Sequence, residues 1–179
     1  LIVGLKEETG DRLEEIEKVS NQAKLFWPLG NHDARYETFL AAQAPQYEGV
    51  HGFTLKDKFP RWIPCWAVMI NGHTIVKHRY HNGIHASYNN TIKAGTSIVT
   101  GHLHSLKVTP WTDYNGDRYG VDSGTLADPN GEQFDYTEDN PKNWRSGFVV
   151  LTFVGGKLML PELAQVISED SIFFRGEVI

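Results

Sequence analysis

Residues 96–105 read TSIVTGHLHS. A short β-branched run is followed by a glycine and then by two histidines separated by one residue. A brief apolar run closed by a glycine signal has the form of a buried strand. If the chain stays extended past the glycine, His102 and His104 point to the same side, because alternate residues of a strand share a face. Gly101 has no Cβ, so the backbone there can approach a ligand closely. Two imidazoles would then enter one cleft from a strand end.

The form recurs earlier in the chain. KLFWPLG at residues 24–30 leads into Asn31 and His32, and HTIVKH at residues 73–78 ends on His78. Ligands in layered α/β folds gather at the carboxyl ends of strands. Three successive strand ends carrying metal-capable groups therefore outweigh the ordinary reading of an isolated His-x-His as part of a turn. Of the eight histidines, six fall between residues 73 and 104. Imidazole with amide or carboxylate oxygen suits zinc, iron or manganese. The one cysteine, Cys65, excludes an internal disulfide and a thiolate site. It sits in the apolar run WIPCWAVMI and reads as a small buried hydrophobe, with a reducing, cytoplasmic setting as the expectation.

The remaining chain supplies the frame. Its 179 residues suit one domain, 1–179, with a substantial core. The formal charge of -5 gives no global basic field for nucleic acid. Apolar runs are too short to span a bilayer, so no membrane partner is expected. DRLEEIEKVSNQA, residues 11–23, spaces Leu13, Ile16, Val19 and Ala23 as an amphipathic helix capped by Asp11. DARYETFLAAQAP predicts a second helix ended by Pro45. WIPCWAVMI reads as one strand with Trp62 and Trp66 in the core. Asn71-Gly72 marks its hairpin to HTIVKH. Residues 79–91 read as a loop entering a short helix. LKVTPW and RYGVDSG are expected to pair around Asn115-Gly116, and GFVVLTFV with KLMLPEL around Gly155-Gly156. The polar stretch 127–143 suits a lid, an interface or a mobile loop. The fold class is α/β, a layered β-sandwich flanked by helices. Nothing in the sequence sets an oligomeric state.

GNHD at residues 30–33 and GHLH at residues 101–104, with a strand-terminal histidine between them, resemble the calcineurin-like metallophosphoesterases. GVDSGTL at residues 120–126 loosely matches the turn after the second motif in that family. The resemblance runs from about residue 24 to residue 160. It implies a metallophosphoesterase-like fold and a two-metal hydrolase, with manganese first and iron or zinc as alternatives. Asn31, His78 and His102 would bind the second metal, and His104 would reach the first. His32 would assist the leaving group, with Asp33 as its orienter. His81 is the alternative to His78. Arg35, His81 and His85 are possible substrate contacts.

In such a site two ions roughly 3.5–4 Å apart neutralise phosphoryl oxygens and hold a hydroxide in line. Phosphodiester substrates are preferred, with a nucleotide or nucleic-acid end as a possible partner. The family's earlier motifs, Asp-x-His and Gly-Asp-x-x-Asp, do not occur. Gly10-Asp11-Arg12-Leu13-Glu14 resembles the second but comes after KEET rather than a strand, and it reads as a helix start. The expectation is therefore the carboxyl-terminal portion of a longer enzyme, weakly active or inactive by itself. A phosphoesterase-like binding or scaffold module is the competing reading, and a structural single-metal site in an unrelated sandwich is a third.

Overall fold

The computed structural model describes residues 13–128 and 131–179. The chain, read from sequence as one domain, is organised as two compact units, Leu1–Cys65 and Trp66–Ile179. Their elements make up a mixed α/β topology with several sheets flanked by helices.

In the first unit, helix α1 covers residues 13–19. The proposed cap, Asp11, lies outside the described residues. Ile16 and Val19 of the expected buried stripe are exposed, Val19 at 83%. The helix ends before Ala23, and Arg61 closes it: the guanidinium donates to the carbonyls of Glu17, at 2.7 Å, and Asn21, at 3.0 Å. A cation at the carboxyl end of a helix meets the negative pole of its dipole. Strand β1, Leu25–Pro28, pairs in parallel with β2, Trp62–Cys65. Between them lie α2, Asn31–Gln43, a 3-10 turn at Pro45–Tyr47 and the single turn α3, Leu55–Lys58.

WIPCWAVMI is not one strand. It supplies β2 and, after a break at Trp66 and Ala67, β3 at Val68–Ile70 in the second unit. Pro64 lacks a ladder donor, which confines β2 to limited pairing. Trp62 is half-buried, edge-on to Trp27 at 6.5 Å, whereas Trp66 is 67% exposed and is no core residue. Burial pushes the Cys65 thiol up, as suits a packed side chain rather than a nucleophile.

The second unit is built on a five-stranded sheet of order β3-β4-β5-β7-β6, with β4 at Thr74–Val76, β5 at Ser97–Thr100, β6 at Leu106–Asp113 and β7 at Gly116–Ser123. β4, β5 and β7 run parallel, and β3 and β6 are the antiparallel edges. Asn71 and Gly72, with φ of 51° and 73°, turn the chain between β3 and β4, and because Ile70 pairs with Thr74 the loop also takes in His73, one residue more than the two-residue turn expected. Asp113 pairs with Gly116, so the tip of the second hairpin is Tyr114-Asn115, one residue earlier than expected. β5 is buried along its whole length, as a central strand covered on both faces must be.

Helix α4, Ala86–Ala94, lies on this sheet with Ala86, Ser87, Asn90 and Thr91 buried against it. Its buried hydroxyls are satisfied locally: Ser87 meets the Thr109 hydroxyl at 2.7 Å, and Thr91 donates to the Thr96 carbonyl at 3.3 Å. Beyond it, β8 at Gly147–Val150, β11 at Glu162–Ser168, β12 at Ser171–Phe174 and β13 at Glu177–Val178 form a four-stranded antiparallel sheet. The short hairpin β9, Phe153–Val154, and β10, Lys157–Leu158, turns at Gly155-Gly156 as expected. The strands after residue 162 have no counterpart in the sequence reading.

One glycine sets the helix-to-sheet distance. A Cβ on Gly120 of β7 would lie 1.8 Å from the Ser87 carbonyl oxygen and 3.1 Å from the Thr91 Cβ. Backbone cannot yield as a flexible side chain does, so Gly120→Ala must lift α4 from the sheet. The expected cost is at least about 3 kcal/mol, the upper part of the range for overpacking, read as a lowered urea midpoint.

Candidate functional site

GNHD belongs to the first unit and GHLH to the second. In the first unit, Leu29 donates to the Cys65 carbonyl at 2.8 Å, and buried Gly30 then takes the N-cap of α2. Asn31 and His32, expected at a strand end before a helix beginning at Asp33, are the first residues of the helix itself. Helices begin with unsatisfied N–H groups, and a side chain near the terminus can reach back to one of them. Asp33, at the third helical position, does so by accepting a 2.6 Å hydrogen bond from the Gly30 N–H. Glycine has no side chain to reciprocate, so this is half of a capping box. The carboxyl group expected to orient His32 is thus engaged with the backbone and lies at the positive pole of the helix. His32 and Arg35 are both exposed, and Asn31 is half-buried.

In the second unit, His78 follows β4 and His102 follows β5, two adjacent parallel strands. The His78 carbonyl accepts from both the Gly101 and the His102 N–H, each at 3.0 Å. This shared acceptor draws the two strand ends together. Their rings meet edge-on with centroids 5.0 Å apart, and His78 Nε2 lies 3.1 Å from His102 Nδ1. With metal–nitrogen bonds of about 2.0–2.1 Å, two imidazoles on one ion at 90–109° hold their nitrogens about 2.8–3.4 Å apart. The observed separation fits that arrangement and equally a shared proton between complementary tautomers.

His104 is placed differently from the expectation. The segment after Thr100 turns instead of staying extended, and His104 adopts a left-handed conformation with φ of 57°. Strand alternation therefore does not set where the two rings point. A non-glycine residue held there needs support from its surroundings. The support is local: the His104 carbonyl accepts from the Arg145 N–H at 2.8 Å, and its ring lies 4.7 Å from Trp144 and 5.6 Å from Phe134. Part of stretch 127–143, with the residues just after it, thus folds back on the histidine motif.

His81 and His85 line the connection between β4 and α4. The His81 N–H donates to buried Asn90 Oδ1 at 2.8 Å, and its ring stacks edge-on with Tyr80 at 4.4 Å. His85 is exposed at the N-cap of α4. The structure therefore pairs His102 with His78, while His81 is tied to the helix through its backbone. Among the described residues, no group of three or more His, Cys, Asp or Glu side chains converges to hold a metal ion.

Two contributors were not singled out from sequence. Asn90 anchors the loop after His78, and Asp122, 1% exposed, accepts from Thr100 Oγ1 and Ser105 Oγ, each at 2.8 Å. The sequence signal for Asp122 was an acidic residue interrupting the apolar face of GVDSG.

No family model matches the chain, and no solved structure matches it. It is similar to the Gene 54 protein of Mycobacterium phage L5 and the Gene 54 protein of Mycobacterium phage D29. Each is 28% identical over 156 residues, covering 77% of this chain and 60% of the relative. The chain thus spans about three fifths of the length of these curated relatives. No helix among the described residues is long and apolar enough to cross a membrane.

The bond from the Gly30 N–H to Asp33 makes a testable contribution to stability. Asp33→Ala is expected to destabilise the first unit by about 1 kcal/mol, the usual scale for loss of an N-terminal cap. Trp27 fluorescence during urea unfolding reads it. An unchanged midpoint would show that the bond to Gly30 contributes nothing.

Proposed function

We propose that the chain contributes part of a metal-dependent phosphoester hydrolase of the calcineurin-like type, with phosphodiesters as the preferred substrates. The observation that carries this reading is the 3.1 Å approach of the His78 and His102 ring nitrogens at the ends of adjacent parallel strands. A pair of imidazoles at that distance supplies two neighbouring donors on one side of a divalent ion. The order of GNHD, His78 and GHLH along the chain supports the same reading.

In this proposal His78 and His102 hold the ion first, with His104 of the same unit as a further donor; Asn31 keeps only the role that the family resemblance implies. Manganese, iron or zinc all accept imidazole with oxygen. A bound divalent ion supplies charge neutralisation for phosphoryl oxygens and an activated water. The chain's own part is to present the donors and a proton. His32, exposed on the first turn of α2, would donate a proton to the leaving oxygen. The helix N-terminus beside it favours an anion. Arg35 would add positive charge for the phosphate, and His81 and His85 would meet the rest of the substrate. Cytoplasmic action on a nucleotide or nucleic-acid end belongs to the same proposal.

One observation favours a second reading, a phosphoesterase-like binding module without catalysis: the 3.1 Å approach of His78 and His102 fits a proton shared between the two rings as well as it fits an ion.

Hydrolysis of bis-p-nitrophenyl phosphate with added manganese, by the protein at its natural length, tests the two. His32→Ala is expected to lower kcat by about 10²–10⁴, the usual share of a general acid, with bound metal unchanged. His102→Ala is expected to lose both metal and turnover. Equal metal loss in the two variants would overturn the division of roles. Absence of turnover with metal bound would favour the binding module.

A further inference from the structure

The link Gly101–Ser105 joins β5 to β6, yet those strands are not neighbours, because β7 lies between them. The link must therefore cross the carboxyl end of β7. It carries both histidines of the motif, so whatever ties it down at that crossing sets where they sit.

Asp122 stands at the crossing. In the parallel register of β5 and β7 it pairs with Thr100, the last residue before the link. One carboxyl oxygen accepts from Thr100 Oγ1 at 2.8 Å and the other from Ser105 Oγ at 2.8 Å. The first partner precedes the link and the second ends it. Lys107 Nζ lies 4.0 Å from the second oxygen and donates to the Ile84 carbonyl at 2.7 Å, extending the tie to the loop after β4. The crossing is also close. A Cβ on Gly101 would come 3.2 Å from Ser123 Oγ, and the Gly124 N–H donates to the Ser105 carbonyl at 2.9 Å.

An acidic group left only 1% exposed is costly unless its oxygens are satisfied. Here the hydroxyls at both ends of one short link satisfy them, so carboxyl burial and link geometry hold each other in place.

We propose that Asp122 is the positioning residue of the histidine link, fixing His102 and His104 by clamping the link at both ends. The proposal rests on the reading of these histidines as metal-facing groups. It assigns Asp122 no contact with substrate or ion.

The test uses the protein at its natural length and Co²⁺ alone as the probe, read by visible absorption. Ring ¹H–¹⁵N spectra of the metal-free histidines are recorded alongside. Asp122→Asn and Ser105→Ala are expected to weaken Co²⁺ binding by about 10–100-fold, the usual effect of losing an outer-shell partner, and to move the His102 and His104 ring resonances. Ile98→Val, a buried change on β5 away from the link, controls for stability. It is expected to lower the urea midpoint while leaving the cobalt band and ring resonances in place.

If wild type binds Co²⁺ and the clamp variants bind it equally well with the same band, the positioning role is overturned and the hydrolase reading stands. If wild type binds none, the metal reading falls, and the ring spectra decide the clamp. Resonances moved by Asp122→Asn sustain it, and unmoved ones overturn it. Should Asp122→Asn fail to fold, Ser105→Ala and Thr100→Val each remove one arm and carry the comparison.

Discussion

The second unit depends on a crossing. β5 and β6 are joined by a short link, and the sheet inserts β7 between them, so the link must pass over the end of β7. A link so short has little slack. It turns at once after Thr100, forces His104 into a left-handed conformation and places Gly101 against Ser123. The position of Asp122 beneath it and the shared His78 acceptor beside it come from the same constraint. The histidine pair is thus a product of strand order as much as of sequence.

A second close approach seats the helix on this sheet. Gly120 lets the Ser87 carbonyl lie where a side chain would otherwise stand, and α4 settles on β7 at that distance. Asn90 on the same helix then reaches the His81 N–H. Gly120, Val121 and Asp122 are consecutive on β7. They hold the helix on one side, fill the core at Val121 and tie the histidine link. Small, apolar and acidic residues succeed one another there because each meets a different neighbour.

In the first unit the same type of local accounting explains GNHD. Gly30 caps α2, and Asp33 returns to its N–H, so two of the four residues satisfy the helix terminus. Asn31 and His32 are carried on a rigid first turn and not on a loose strand end. A motif that reads as chemistry also serves the backbone, and both uses are compatible with one sequence.

Strands and turns were legible where local chemistry dictates them. Asn71-Gly72 and Gly155-Gly156 need positive φ, and the β-branched run SIVT suits a buried strand. Proximity of His78 and His102 was readable as a pattern of strand ends. Other features were not local. WIPCWAVMI is apolar throughout, so its composition could not show that it serves two units. The stripe of α1 has the right period, yet Val19 is left exposed. Strand alternation failed at His104 because the rule holds only while the chain stays extended. The role of Asp122 depends on hydroxyls distant in sequence that only the sheet order brings to it. Sequence alone therefore determined the elements and the residue types at their ends. Tertiary structure decided which ends meet, because strand order and the crossing it imposes are properties of the packed sheet and not of any one segment.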